Sequence, residues 1–407
     1  MEKIFQQEVE DLKKLYNFSE EENKILEQVD KAAEELAISE FEHYINRKTN
    51  PEFKNIVKKY GLAGIPIKKE YGGLGANMLI ATLTNERFGQ MDLGFPTFYD
   101  VDVFIGALTL QNHGTDSQKK KYLKPVVKGD KILAFALTEP QAGSDPSLMS
   151  TNYEKNADKF ILSGTKYLIT NGSIADTVIV FAKSSRNPNE ITAFLVEKGM
   201  AGFKVQMHLT DKIGLFTSDT AMLQFDKVEL TSDNVLGTTS KGLHIAYSAL
   251  LNGRLGIASG CLGVIGGSLK AATDRARERV QHGKEIGKHQ LIQEHIAEIR
   301  QNLEKAKWPT YYAAIKKSEY DKDPENRQLR DELDLRTALA KKIASRMAFE
   351  SADRAVQVFG GFGYSLLSPA GALFCDSRVT RIYEGTDEIM ELKIASRLLG
   401  KDFEAFV

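Results

Sequence analysis

Between Ile132 and about Gly237 the chain abandons the helical period that governs it on both sides, and this change of texture limits the possible folds more than any other feature. Phe160-Ile161-Leu162, Val178-Ile179-Val180-Phe181-Ala182, Ile191-Thr192-Ala193-Phe194-Leu195-Val196 and Ala221-Met222-Leu223-Gln224-Phe225 are short, β-branched or aromatic, and bounded by turns, as strands are. Gly164-Thr165, Asn171-Gly172 and Lys198-Gly199 supply those turns. Before this stretch the pattern is helical, as in residues 21–46, with an interruption at Tyr71-Gly72-Gly73-Leu74-Gly75. After it the helical period returns over 243–282, 290–317, 331–359 and 389–399. The expected fold is mostly α with an inserted β domain: an all-α domain over 1–131, a β domain over 132–240 and a helical bundle over 241–407.

The first C-terminal helix carries Gly256, Ala258, Ser259, Gly260, Gly263, Gly266 and Gly267. Each glycine in a helix interior costs about 1 kcal/mol, so this run implies a close helix contact. Lys plus Arg (54) nearly cancel Asp plus Glu (55), for a net charge of −1, which leaves no field to recruit nucleic acid or anionic lipid. Met1-Glu2-Lys3-Ile4-Phe5-Gln6-Gln7-Glu8 is acidic and amphipathic and lacks the apolar core of a leader. No membrane-spanning run is expected. Cys261 and Cys375 have no CxxC partner, and His282, His289 and His295 do not share a metal-binding face. The expectation is a cytoplasmic protein without a metal.

Four constellations carry chemistry. Phe135-Ala136-Leu137-Thr138-Glu139-Pro140-Gln141-Ala142-Gly143-Ser144-Asp145 joins hydroxyls, a rigid proline and a permissive glycine in a loop that can present amides to a flat polar ligand. Lys166-Tyr167-Leu168-Ile169-Thr170-Asn171-Gly172 ends a strand at a turn and puts the Thr170 hydroxyl at its tip. Gln357-Val358-Phe359-Gly360-Gly361-Phe362-Gly363 is glycine-rich but follows a helix, so a Rossmann reading fails its context. In Arg381-Ile382-Tyr383-Glu384-Gly385-Thr386-Asp387-Glu388 a carboxylate sits between an aromatic and a glycine, where desolvation raises its basicity. Taken singly, these pieces are also a tight turn, an ordinary strand end, a helix end and a helix-start carboxylate.

In this order and spacing the four pieces resemble the acyl-CoA dehydrogenase family over roughly residues 65–400. Thr138 to Asp145 looks like the family's first signature, and Gln357 to Gly363 with Ile382 to Thr386 like its second. The resemblance implies a helical domain, a β-barrel-like domain and a four-helix bundle. It also implies FAD, held by Phe135, Leu137, Thr138, Gly143, Ser144, Leu168, Ile169, Thr170, Gln357, Val358, Gly360, Gly361, Thr386 and Glu388. Arg279, Gln281, His289 and Gln290 match positions that reach the FAD of a neighbouring subunit, which implies a homotetramer built as a dimer of dimers. Ser144, Arg254, Gly385 and Asp100 are expected at the acyl-CoA substrate. Glu384 would take the α proton while hydride leaves the β carbon for flavin N5, with Thr170 beside it; the product is a trans-2-enoyl-CoA of fatty acid metabolism. An electron-transferring flavoprotein would accept the electrons.

The chain also departs from the family pattern. Leu168 stands where an aromatic is common, His282 where a phenylalanine is common, and Leu251 replaces an acidic position near Arg254 that helps hold CoA in some members. A carrier-protein-tethered, cyclic or amino acyl thioester is therefore an alternative substrate, and a non-catalytic DNA-binding member of the fold an alternative function. Pro96 aligns where glutaryl-CoA members carry an arginine, which disfavours a dicarboxylic substrate. Asp100 and Asp102 fall in a segment matching the wall of the acyl pocket. The expectation is that they cap a helix start or face solvent; the competing reading has Asp100 contact a cationic acyl group or act as a second base on a cyclic substrate.

Overall fold

Ser19 starts the first long helix by a reciprocal cap: its Oγ accepts from Glu22 N at 3.2 Å while the Glu22 carboxylate accepts from Ser19 N at 2.9 Å. The computed structural model describes residues 16–403, and the acidic start Met1–Glu8 lies outside them. The N-terminal helices are α1 (Glu20–Ile45), α2 (Glu52–Tyr60), α3 (Met78–Gly89) and α4 (Gly94–Tyr99). Helix α4 runs on through a π-wound segment, Asp100–Ala107, into α5 (Leu108–His113), followed by α6 (Asp116–Gln118) and α7 (Lys124–Val127).

The middle strands are β1 (Leu133–Ala136), β2 (Asn152–Asn156), β3 (Lys159–Thr170), β4 (Thr177–Ser184), β5 (Ile191–Glu197), β6 (Phe203–His208), β7 (Thr220–Thr231) and β8 (Val235–Leu236). They form one sheet in the order β6-β7-β3-β2-β4-β5-β8, with β1 parallel beside β4. The β3–β7 register slips between Lys166 and Ile169, a bulge that puts Leu168 in left-handed backbone (φ 58°) with its side chain outward.

The remaining elements are α8 (Gly242–Glu278), a small hairpin of β9 (Val280–Gln281) and β10 (Lys284–Glu285), α9 (Gln290–Tyr320), α10 (Arg327–Phe359), α11 (Pro369–Ser377) and α12 (Asp387–Leu399). Helix α8 packs against α3, α9 and α10. A Cβ on Gly263 or Gly267 would collide with the backbone carbonyls of Glu86 and Gln90, so the glycine run does bring two backbones together. By length and composition α8 could cross a bilayer, which the sequence reading did not expect, yet 83% of its apolar window is buried within the protein. It is the central core helix of the bundle.

Asn171 ties the first two domains together. In left-handed backbone (φ 61°) at the end of β3, it donates through Nδ2 to Phe98 O at 3.1 Å and Leu133 O at 3.3 Å. One fully buried amide thus joins α4, β1 and β3, and it fixes Thr170 beside it.

Candidate active site

Glu384 and Gly385 are consecutive left-handed residues, φ 55° and 101°, in the link to α12. For a residue with a Cβ that backbone costs about 1–2 kcal/mol, and two buried cations hold it there. Arg254 Nε donates to Glu384 O at 3.4 Å and Lys341 Nζ donates to Gly385 O. Thr386 then caps α12, accepting from Ile389 N at 3.3 Å, and Asp387 is locked by Arg381 at 2.8 Å and Arg346 at 3.0 Å. Glu384 Oε2 is fully enclosed and has no hydrogen-bond partner among the described residues. Burial raises the Glu384 pKa to about 7, against the opposing pull of Arg254 and Lys341. A carboxylate with that pKa is ionised for much of the time near neutrality and basic enough to abstract a proton.

The carboxylate rests on α8. A Cβ on Gly253 would lie 2.6 Å from Glu384 Oε2 and 2.8 Å from Ile105 Cδ1, so only glycine leaves the base its place. Ile105 in turn packs with Val101 and Ala249, and Phe135 of β1 closes that cluster. The base, the π-wound segment and the first strand therefore meet at one apolar wall.

The residues expected at FAD fall into two groups. Near the wall, Phe135, Leu137, Thr138 and Thr170 are half-buried, Gly143, Ser144 and Leu168 are exposed, and Tyr167 N bonds Thr138 O at 2.9 Å to join β1 to β3. An outward Leu168 and an open Gly143, whose Cβ would meet nothing within 4 Å, suit a flat ring with a polar edge. Ile169 is 2% exposed and packs into the β core, so only its backbone is offered to a ligand.

The second group lies elsewhere. Arg279, Gln281, Gln290, Gln357, Gly360 and Gly361 are exposed and His289 is half-buried with Nε2 enclosed and, among the described residues, unpartnered; Glu388, also exposed, stays in the first turn of α12, four residues after Glu384. Arg275 stacks over Phe359 at 5.4 Å and Phe362 at 5.9 Å, which puts Gln357–Gly361 at the Arg279 end of α8. At 1.5 Å per residue that end is on the order of 30 Å along α8 from Gly253. Val358, expected at the cofactor, is 4% exposed and belongs to the bundle core.

Two further expectations are corrected. Arg254 is 3% exposed and spends its guanidinium on Asp334 at 2.9 Å and the Glu384 carbonyl, so it is enclosed rather than offered to the substrate's adenine end. Asp334 is held below the usual carboxylate range by Arg254, Lys393 and Arg397 against the effect of burial. Asp100 neither caps nor faces solvent: it is 1% exposed, its Oδ1 is unpartnered, and it lies against Gly256. Asp102, also 1% exposed, accepts from Leu133 N at 2.8 Å and so bonds a strand start rather than a helix start. The sequence reading missed Lys341, whose buried place on α10 is marked only by the alanines Ala338, Ala344 and Ala348 along the same face. Among the described residues no group of three or more His, Cys, Asp or Glu is placed to hold a metal.

Three family models match the chain: acyl-CoA dehydrogenase N-terminal domain over 19–130, middle domain over 134–228 and C-terminal domain over 240–399. An acyl-CoA dehydrogenase of Bacillus subtilis is 38% identical over 344 residues, 84% of this chain and 88% of the relative. The caffeyl-CoA reductase-Etf complex subunit CarC of Acetobacterium woodii is 34% identical over 354 residues, 86% and 90% of the two chains. Butyryl-CoA dehydrogenase from Megasphaera elsdenii superposes with a TM-score of 0.88 at 34% identity, covering 94% of this chain and 99% of that one. A glutaryl-CoA dehydrogenase from Mycobacterium smegmatis in complex with FADH2 superposes with a TM-score of 0.85 at 27% identity, covering 96% and 97%.

Proposed function

Because the chain belongs to the acyl-CoA dehydrogenase family, we propose that it removes two hydrogens from the α and β carbons of an acyl-CoA thioester, with Glu384 as the base. The observation that carries this reading is the enclosed, partnerless Glu384 Oε2 on a backbone pinned by Arg254 and Lys341. Desolvation makes that oxygen basic, and the two cations keep its carbonyls, and hence its side chain, from swinging away.

The residues fit FAD. Phe135, Leu137, Thr138, Gly143, Ser144, Leu168 and Thr170 form the face that would hold the ring system. Bound FAD supplies the acceptor for the β hydrogen and its electron pair. The α proton goes to Glu384, and the neighbouring backbone N–H of that residue is the donor available to the thioester oxygen as charge develops on it. The wall of Val101, Ile105, Ala249 and Phe135 excludes water from the acyl chain.

The distance along α8 between the Arg279 end and Gly253 under the base supports a reading in which Arg279, Gln281, His289, Gln290 and Gln357–Gly361 serve the FAD of a neighbouring copy, within a homotetramer. The Etf-complex relative supports an electron-transferring flavoprotein as electron acceptor. Free Cys261 and Cys375 are compatible with a reducing cytoplasm. Pro96 packs near Gly260 with Leu93 beside it, which disfavours a distal carboxylate on the substrate. The test is anaerobic titration of the FAD-loaded protein with acyl-CoA thioesters: loss of the oxidised-flavin band in wild type and its persistence in Glu384→Gln are expected.

A further inference from the structure

Asp100 and Glu384 press on the same side of α8 at glycines three residues apart: a Cβ on Gly253 would crowd Glu384 Oε2, and one on Gly256 would collide with Asp100 Oδ1. Each carboxyl has one oxygen that is enclosed and without a partner among the described residues. These two features mark a depth scale. Along α8 exposure falls from Tyr247, 46% exposed, to residues 251–265, which are all buried, so an acyl chain entering past the base meets Gly256 next. The rise of about 4.5 Å between the two glycines is the reach of three to four bonds of an extended chain. One turn further on, Leu93 Cδ2 at 3.1 Å and Pro96 Cβ at 3.3 Å of its Cβ position cover Gly260 and close that side of α8 to a longer chain.

We propose that Asp100 selects acyl-CoA thioesters whose acyl chain carries a neutral hydroxyl three to four bonds beyond the α carbon, a reading that rests on the acyl-CoA dehydrogenase assignment of this site.

A hydrocarbon chain laid against Asp100 leaves a buried polar oxygen unsatisfied, which costs on the order of 1–3 kcal/mol, whereas a hydroxyl satisfies it. The preference for a neutral group over a cation follows from the pair. Burial, then the charge of Glu384, push the Asp100 pKa well above the carboxylate range. When Glu384 is ionised to act as base, Asp100 keeps its proton, and a protonated carboxyl both donates to and accepts from one hydroxyl. Half-buried Tyr383 carries a hydroxyl 3.5 Å from Thr97 Oγ1 and in the field of Asp100, a second polar group near that carboxyl.

The test compares 4-hydroxybutyryl-CoA and 5-hydroxypentanoyl-CoA with butyryl-CoA and pentanoyl-CoA, and uses 5-aminopentanoyl-CoA as the cationic probe, on FAD-loaded wild type, Asp100→Asn and Asp100→Val. One hydroxyl thioester is expected to exceed its plain counterpart in kcat/KM by about tenfold or more, the ratio that corresponds to leaving one buried polar oxygen unsatisfied. Asp100→Asn, which keeps a neutral donor and acceptor, retains most of that preference, and Asp100→Val reverses it. The bound-FAD content of each variant checks that it is folded. Preference for the aminopentanoyl probe, lost in Asp100→Asn, would overturn the proposal by showing an ionised carboxylate. So would Glu384-dependent reduction by butyryl-CoA with no gain from a hydroxyl, which leaves the dehydrogenase reading intact. If no thioester bleaches the flavin, that reading falls and the proposal with it.

Discussion

Lys341 donates to the carbonyl of Gly385, the residue that follows the base, from a position 44 residues earlier and with no exposed surface of its own. Burial lowers its pKa to about 8, with the Asp387 carboxylate opposing that shift, and its charge in turn lowers that of Glu384. Lys341→Met is expected to reduce kcat about 10- to 100-fold, the scale for a misplaced catalytic group, with little change in KM. A merely structural role would not touch the titration of the base. The ascending limb of kcat/KM against pH is expected to move to higher pH in this variant, and an unmoved limb would assign Lys341 to packing.

Glu384 must be ionised to take a proton, so activity is expected to rise with pH through an apparent pKa near 7, the value to which burial raises it. That limb belongs to the free enzyme and is read from kcat/KM. Glu384→Gln loses at least about a hundredfold in kcat, the lower end for removing a general base, while thioester binding, followed by perturbation of the flavin spectrum, persists.

The same shift has a sign in stability. A carboxyl whose folded pKa lies above its unfolded value of 4.5 binds a proton in the native state between about pH 4.5 and 7 that the unfolded chain has released. Stability therefore falls through that window as pH rises, and the whole cost is present above pH 7. FAD-loaded Glu384→Gln, which cannot ionise, is expected to melt higher than wild type at pH 8 and equally near pH 4. A higher melting point for wild type at pH 8 would mean that ionised Glu384 is stabilised by its neighbours.

Gly256 and Asp100 share one volume, because a Cβ at 256 would collide with Asp100 Oδ1. Gly256→Ala is expected to cost about 1–3 kcal/mol by overpacking, and less in an Asp100→Ala background, where the carboxyl is gone. Urea unfolding of the four proteins measures the coupling, expected at about 0.5–3 kcal/mol for residues in contact. Additive losses would place the strain of Gly256→Ala elsewhere.

Arg279 is exposed at the end of α8. Under the proposed subunit arrangement Arg279→Ala weakens FAD retention and tetramer stability together, measured by flavin content and light scattering over a dilution series. Unchanged values in both would remove the residue from the interface.

Much of the site was legible because local pattern and chemistry coincide. The β-branched runs became β3, β4, β5 and β7, and Glu384 between Tyr383 and Gly385 already pointed to a desolvated carboxylate. What escaped depends on contacts between distant segments. Arg254 reads as an available cation until Asp334, 80 residues away, takes it. Lys341 reads as a solvated helix lysine until α12 and its preceding turn fold over it. Asp100 reads as a helix cap because helical phase is counted at i→i+4, and the π winding from Asp100 to Ala107 shifts that phase and turns the side chain toward α8. Leu168 points outward because one bulge displaces it, and Val358 points inward because α10 holds it in the core.

The glycines of α8 settle more than the shape of the pocket. Gly253, Gly256, Gly260, Gly263 and Gly267 together remove several kcal/mol of intrinsic helicity at about 1 kcal/mol each, so this helix is held by its packing against α3, α9, α10 and the π-wound segment rather than by its own propensity. Two of those partners, α3 and the π-wound segment, belong to the N-terminal domain and cover the glycines of α8, the face on which the base also rests. Synthesis makes α3 first, and the Gly263–Gly267 face of α8 is covered only when the two meet. Removing the N-terminal helices would therefore bare that glycine face and the Ile105 side of the base in the C-terminal fragment, and thioester binding and native structure should be lost together.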